Sequence, residues 1–300
     1  MSLPPGLLEL VERYFAAAPL PDARVETAGG LDVPVGSPTW PYPARPRPGE
    51  EVTADDIRAA VALQEAADLP VAVEWVCEDA PTVEAAVRAA GLTVDSSPLL
   101  VAADPVELLL PSGVRLYLVG ADDPELPRYE RLASIAFANP GPRSEAGGPT
   151  VGVTLGSPRT AVLRERIATG RTVMMVAVED GEPVAVGTHH PVDVDGTEVT
   201  EIAGVATLPR LRGRGLGAGL ASALTAHARE TAELVFLVAG DDDVARVYER
   251  TGFARLATVG VADLSDGCWR LRARPGAAPR PRRRPGRPWR CPSRPTRAPR

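Results

Sequence analysis

The stretch Arg212-Gly213-Arg214-Gly215-Leu216-Gly217-Ala218 stands between a strand-like run, Thr200 to Leu208, and a long alanine-rich helical segment. It constrains what the chain can fold into more than any other feature. Three closely spaced glycines let the backbone turn tightly and present successive N–H groups. The helix that follows adds the positive end of its dipole, and two arginines add formal charge. Such a loop suits a diphosphate. Each charge-assisted hydrogen bond there contributes about 1.5–3 kcal/mol, so a handful anchors a nucleotide-bearing ligand by its phosphates.

The flanks discriminate between the loop types that could read this way. A P-loop needs a lysine to reach the β/γ phosphates, and the chain has no lysine. Gly213, Gly215 and Ala218 fit the dinucleotide spacing G-x-G-x-x-G/A, but that fingerprint sits directly on a strand end and leads to an acid closing the next strand. Here Pro209-Arg210-Leu211-Arg212 intervenes, and Glu233 opens the next apolar run. The pattern Q/R-x-x-G-x-G/A is met by Arg212, Gly215 and Gly217, and it resembles the pyrophosphate loop of the GNAT superfamily of acyl-CoA-dependent N-acyltransferases. Two further elements agree. Tyr248-Glu249-Arg250-Thr251-Gly252-Phe253 is similar to the family's Tyr-x-x-x-Gly-Phe element, whose tyrosine hydroxyl lies near the CoA sulfur. Glu201, 11 positions before Arg212, resembles the branch of the family that carries a general-base glutamate on the strand before the loop. The resemblance covers Ser112 to Leu264. It departs at Asp241, where the family often has Asn seven residues before the tyrosine.

Hydrophobic periodicity supplies the element order around these motifs. Val114 to Val119 reads as a strand, and Pro124 to Ala138 and Pro158 to Ala168 as helices. Thr172 to Glu179, Pro183 to Asp193 and Glu198 to Leu208 form three antiparallel strands joined at Asp180-Gly181 and Asp195-Gly196. Gly215 to Glu230 is a helix, Glu233 to Ala239 a strand, Asp241 to Arg250 a helix, and Gly252-Phe253 opens a last strand. The fold class is α/β (an α+β layer): a mixed, mostly antiparallel GNAT-type sheet flanked by helices, preceded by a smaller α/β half-domain.

That half-domain begins with a helix, Pro5 to Ala18, and a Pro- and Gly-rich stretch from Pro19 to Gly49 that reads as irregular. Thr53 to Asp68 is a helix capped by Thr53 with Asp56, Val71 to Val76 a strand, Pro81 to Ala90 a helix and Thr93 to Ala102 a strand. This repeats the order that runs from Gly215 onward, with Val87 standing where Tyr248 would be and no Gly-Arg loop before the first helix. Residues 1–108 therefore read as a partial, non-catalytic GNAT-like domain that covers a sheet edge or shapes the acceptor pocket. Residues 109–269 read as the acetyltransferase domain and 270–300 as an Arg/Pro-rich disordered tail.

The resemblance implies an acyltransferase that moves an acetyl group from acetyl-CoA to a primary amine by direct attack in a ternary complex. An alkylammonium has a pKa near 10.4, so the site must remove a proton. Glu201 is the expected base, and Tyr248 the acid that protonates the leaving thiolate. Backbone N–H groups along Val205, Ala206 and Thr207 are expected to face the oxyanion. With Arg212, Gly213, Arg214, Gly215, Leu216, Gly217 and Ala218 they make up the CoA-binding set. The alternative is an acyl-CoA-binding sensor without transfer. The implied partner is a small-molecule or peptide amine, and a homodimer is compatible with the same reading.

Other features narrow the reading further. His189 and His190 are adjacent on a strand, so they point to opposite faces and cannot share a metal; one is a candidate for lining the acceptor pocket, and His227 reads as packed. Cys77, Cys268 and Cys291 are odd in number and widely spaced, which supports neither a disulfide framework nor a zinc site, and no metal is expected. No apolar run reaches about 18 residues, so no membrane span or signal peptide is expected and the location reads as cytoplasmic. Residues 270–300 hold 12 arginines and no acid, leaving 21 arginines against 39 acidic residues elsewhere, a net of −18. An acidic body suits a cationic acceptor such as a polyamine or aminoglycoside-like amine, or serves solubility alone. Nucleic-acid binding would fall to the tail.

Overall fold

The computed structural model describes residues 4–144 and 157–263. The chain opens with α1 (Leu7–Ala17), β1 (Ala23–Ala28), β2 (Leu31–Gly36) and β3 (Arg45–Pro46), followed by α2 (Ala54–Ala66), β4 (Ala72–Val76), α3 (Val83–Ala89) and β5 (Thr93–Ala102). β6 (Val114–Leu118) and α4 (Leu126–Ala138) come next. The same order then recurs: α5 (Pro158–Ala168), β7 (Val173–Glu179), β8 (Glu182–Val194), β9 (Thr197–Thr207), α6 (Leu216–Ala228), β10 (Leu234–Val238), α7 (Asp242–Glu249) and β11 (Phe253–Asp263). Each series is a helix, three strands, a helix, a strand, a helix and a strand. The Arg/Pro-rich tail, Cys268, Cys291 and most of the Asn139-to-Ser157 loop lie outside the described residues.

Local chemistry sets these boundaries. Thr53 caps α2 through a reciprocal box in which its hydroxyl accepts from the Asp56 N–H and the Asp56 carboxylate accepts from the Thr53 N–H. Ser157 accepts from the Thr160 N–H, with Pro158 at the start of α5. Gly91 and Gly252 follow α3 and α7 with φ of 88° and 90°, the left-handed turn that stops a helix without a Cβ penalty. The Pro19–Gly49 stretch corrects the sequence reading, because it holds a regular hairpin instead of an irregular linker. β1 and β2 pair antiparallel with Ala28 opposite Leu31, so Gly29-Gly30 is a two-residue loop of the kind that joins twisted strands.

All but three strands form one eight-stranded sheet in the order β4-β11-β5-β10-β9-β8-β7-β6. β5 lies between β10 and β11 and is antiparallel to both, while β11 lies between β4 and β5. Each βαβ unit therefore leaves a gap that the other unit's last strand fills. β5 and β11 pair over ten positions, from Phe253–Ala102 to Asp263–Thr93, with one bulge at Leu256. The first series also has its own small sheet, β1-β2-β3, which touches β4 through a parallel bridge between Ala44 and Val73. This matches the parallel pairing of β9 with β10 in the second series. The boundary at 108/109 thus separates two chain segments whose strands alternate in one sheet.

Alternation along β10 sends its neighbours to opposite faces. Val235 and Leu237 pack under α6, whose Leu216, Leu220 and Leu224 are fully or almost fully buried. Phe236 points the other way, against α1, where Tyr14 and Phe15 meet it edge-on at 4.9 and 5.4 Å. Burying such a ring contributes about 1.5–3 kcal/mol, so the α1 seam fixes the first series against the second. Among the described residues no helix is long and apolar enough to cross a membrane.

Candidate active site

β9 and β10 run parallel only from Leu234–Val199 to Phe236–Glu201. Beyond that point β10 stays with β5 through Val238 while β9 continues to Thr207 beside β8, so the two strands splay apart. A bulge sharpens the split. Thr188 pairs with Ala203 and Val186 with Ala206, leaving Gly204 and Val205 opposite the single residue Gly187, and Gly204 takes φ 63°. A cavity of about 870 Å³ opens into this gap. Val205, Ala206 and Thr207 line one side and Leu237, Val238 and Ala239 the other.

The glycine loop forms the mouth of the same cavity. Gly213, Gly215, Leu216, Gly217 and Ala218 all line it. α6 starts at Gly215, which sits in the left-handed region at φ 81° and offers no side-chain cap, so the first-turn N–H groups are left for a ligand or solvent. A Cβ on Gly217 would come to 3.4 Å from Thr207 Oγ1, so the loop lies close against β9. The two arginines are placed differently from each other. Arg212 lines the cavity, but its guanidinium donates to the carbonyls of Ala136, Asn139 and Gly141 at 2.6–2.8 Å, tying the loop to the end of α4. Arg214 reaches away to form a two-pronged pair with Glu179 at 2.5 and 2.8 Å and is absent from the cavity lining. Sequence motifs alone did not reveal these tethers. They also did not single out Arg250, which lines the cavity beside Tyr248.

Tyr248 projects from the last turn of α7 into the cavity and packs edge-on against Phe253 at 5.9 Å. Asp241, the position that departs from the motif, caps α7 by accepting from the Val244 N–H at 2.8 Å and also borders the cavity.

Glu201 lies on the opposite face of the sheet from α6. It pairs across β9 with Phe236 on one side and His190 on the other, and all three share the face that α1 covers. There it lines a smaller chamber of about 230 Å³. Tyr14, Phe15, Trp40 and Tyr42 from the first series form much of its wall. Val238 borders both cavities, so the two spaces adjoin at the splay. Burial first and the neighbouring Glu74 second push the Glu201 carboxyl up to about 8, against the opposing charge of Arg45.

The histidines divide as alternation requires. His189 faces α6, where its Nδ1 meets Thr200 Oγ1 at 2.9 Å and its Nε2 meets His227 Nδ1 at 3.1 Å. His227 is half-buried and engaged in this contact. His190 enters the small chamber, and its hydrogen bonds fix its state. Thr188 donates its hydroxyl to the Ala203 carbonyl and so accepts from His190 Nε2, while Thr172, which accepts from Arg166 Nε, donates to His190 Nδ1. Burial, with the charge of Arg166 next, holds His190 down at about 3. A ring with both nitrogens committed is a wall and not a base.

Residues 152–253 match the family model described as the Acetyltransferase (GNAT) family. The chain carries a GNAT domain. The splay, the loop and Tyr248 all fall within the matched segment. Among solved structures, a GCN5-related N-acetyltransferase from Kribbella flavida is similar at 25% identity over 84% of this chain and 95% of its own, with a TM-score of 0.61. A protein of the GNAT family from Novosphingobium aromaticivorans is 18% identical over 84% of this chain and 94% of its own, TM-score 0.51. A functionally unknown conserved protein from Staphylococcus epidermidis is 15% identical over 80% and 93%, TM-score 0.51. These spans reach well beyond the GNAT domain's matched segment into the first series. No curated protein sequence matches the chain.

Proposed function

We propose that this protein is an acetyl-CoA-dependent N-acetyltransferase that moves acetyl to a primary amine by direct attack in a ternary complex. The observation that carries the reading is the meeting of two cavities at Val238, one bordered by the uncapped α6 loop and Tyr248, the other containing Glu201. The larger space fits a nucleotide-bearing thioester: its mouth offers free N–H groups at a helix start, and its depth reaches the splayed strands. The smaller space takes the amine. Acetyl-CoA supplies the activated acyl group; the chain supplies position and proton transfer.

Glu201 takes the proton from the bound ammonium. A carboxylate with a pKa of about 8 faces an alkylammonium near 10.4, so the transfer is uphill by about 2 units instead of about 6 for an ordinary glutamate. The freed amine forms the new C–N bond as the C–S bond breaks, the Tyr248 hydroxyl protonates the departing sulfur, and the second proton, which the nitrogen sheds on becoming an amide, restores the tyrosine by way of solvent. Backbone N–H groups at the β9 bulge, along Val205, Ala206 and Thr207, stabilise the negative charge that develops on the acyl oxygen. Arg212 serves by holding the loop in shape through its bonds to α4. His190, committed at both nitrogens, leaves the proton transfer to Glu201.

A thiol-release assay with acetyl-CoA and a broad amine panel tests the reading. Turnover with at least one amine is the expected result. Ligand stabilisation by acetyl-CoA without thiol release on any amine would instead mark an acyl-CoA sensor.

A further inference from the structure

Glu201 stands among charges and is joined to none of them. Among the described residues its carboxyl makes no hydrogen bond and no ion pair. Most groups that share its chamber are engaged elsewhere. From α1, the Tyr14 hydroxyl donates to the His190 carbonyl at 3.0 Å. From β8, His190 is held neutral with both ring nitrogens committed. From α5, Arg166 pairs with Asp22, while Arg159 donates to the Thr39 carbonyl at 3.0 Å and lies 3.8 Å from Glu130. The Tyr42 hydroxyl donates to Asp22 at 2.6 Å. There remain Arg45 and Glu74, both from the first series.

A guanidinium that lines the same chamber should seek Glu201. Opposite charges attract strongly in a buried space, and Arg45 has donors to spare, since its Nε and Nη2 are buried without a hydrogen-bond partner. Three contacts hold it elsewhere. Nη1 donates to Glu74, Nη2 lies 3.6 Å from Glu12, and the guanidinium carbon sits 3.8 Å from the centre of the Phe15 ring. The backbones beneath are pinned as well. Arg45 pairs with Asp32 in β3; beside it the Ala44 N–H donates to the Ala72 carbonyl and the Glu74 N–H to the Ala44 carbonyl, both at 2.9 Å.

We propose that Glu74, backed by Glu12, is a positioning residue that holds the Arg45 guanidinium off Glu201, so that the first series keeps the base of the second unpaired and able to take a proton from the amine. The proposal rests on the transferase reading of Glu201, and its test does not depend on turnover.

Glutamate-selective ¹³C NMR on the intact protein reads the carboxyl directly, with the Glu201 signal assigned by its loss in Glu201→Gln. In the wild type it is expected to titrate at about 8; titration below the ordinary 4.5, where a paired carboxylate falls, overturns the tether. Glu12→Gln/Glu74→Met releases Arg45. The Glu201 pKa should then fall by about 1–3 units, the rise in kcat/KM should move to lower pH with it, and a crystal structure of the variant should show the guanidinium on Glu201. A pKa that stays or rises, or a guanidinium that remains over Phe15, overturns the proposal. Replacing a buried ion pair as a unit by apolar residues of similar size is often neutral for stability, so Arg45→Met/Glu74→Met gives a second, well-folded variant. It should keep the Glu201 pKa within about one unit of the wild type and leave the KM for acetyl-CoA unchanged. A larger rise would make Arg45 itself the partner of Glu201 and overturn the proposal. Absence of thiol release from every amine would sink the transferase reading alone, because the titrations and the variant structure still decide the tether.

Discussion

The two series in this chain share an order of elements and differ most at the start of the helix that follows their third strand. α6 begins at Gly215 with no side-chain cap and opens onto the large cavity. α2 begins at Thr53, and its N-terminal N–H groups are met from within: the Asp56 carboxylate accepts from Thr53 and from Gly30 at the tip of the β1–β2 hairpin, which holds its pKa below the usual range. One helix end leaves its donors for an anion, and the other carries its own. Both solve the same problem, since the first N–H groups of any helix need acceptors. The contrast recurs at the end of the following helix, where Tyr248 reaches a cavity and Val87 is fully buried in the core. It recurs again at the parallel strand junction. With Val73 matched to Val235, Ala44 falls at the position of Thr200 and Arg45 at that of Glu201, so the first series contributes an arginine where the second contributes the proposed base.

The largest break in this symmetry is at Glu201. Glu201→Gln is expected to lower kcat/KM by about 10²–10⁴-fold and to abolish a rise in wild-type kcat/KM with an apparent pKa of about 8. A variant that keeps both rate and pH profile would remove the base assignment. The same group predicts a stability effect of definite sign. Its folded pKa lies above its unfolded value, so its contribution is fully present below about pH 4.5 and is lost as pH rises through about 8. Glu201→Gln should therefore melt above the wild-type temperature at pH 9, by about 3 °C or more, with the gain shrinking toward pH 5.

Next in size is the Tyr248–Val87 pair. Tyr248→Phe should cost about 10²-fold in turnover with acetyl-CoA affinity and melting temperature nearly unchanged. Val87→Ala should do the reverse, losing about 2 kcal/mol of stability while leaving acetyl-CoA affinity intact. Turnover and denaturant titration on both variants read this crossover, and parallel losses in the two would dissolve it. At the loop, Gly217→Val pushes a branched side chain toward Thr207 and into the cavity mouth. Acetyl-CoA should bind it about tenfold or more weakly, and an unchanged Kd would mean that the loop does not hold the donor. The smallest effect belongs to the counterpart helix: Asp56→Ala should cost about 1 kcal/mol of stability at neutral pH and nothing in acetyl-CoA binding. Because the Asp56 pKa is depressed, that contribution is present above the unfolded value and disappears as pH falls through the folded one, so the two proteins should converge in acid.

Much of this architecture is legible in the amino acids. The helices and long strands follow from periodicity and from caps such as Thr53–Asp56, while the loop, Tyr248 and Glu201 were singled out by their resemblance to motifs of the GNAT superfamily. The β1–β2 hairpin was also written locally, in Gly29-Gly30, but the surrounding prolines and glycines mask the alternation. Strand order was not legible, because nothing local to Thr93–Ala102 tells it to enter between β10 and β11; that choice is made by long-range packing. The arginine roles were hidden for a similar reason. A guanidinium beside a phosphate-type loop is attracted equally to carbonyls or carboxylates, and only the fold brings Ala136 to Arg212 and Glu179 to Arg214. The chamber around Glu201 draws on Tyr14, Trp40 and Tyr42, more than 150 positions away, so no motif could contain it.

The most direct test is a calorimetric titration of the intact protein with acetyl-CoA and, separately, with acetyl-pantetheine, which keeps the thioester and lacks the diphosphate. If the uncapped start of α6 grips that diphosphate, acetyl-CoA binds with measurable heat and acetyl-pantetheine at least about a hundredfold more weakly. Equal affinity for the two, or no heat with acetyl-CoA, would contradict the account.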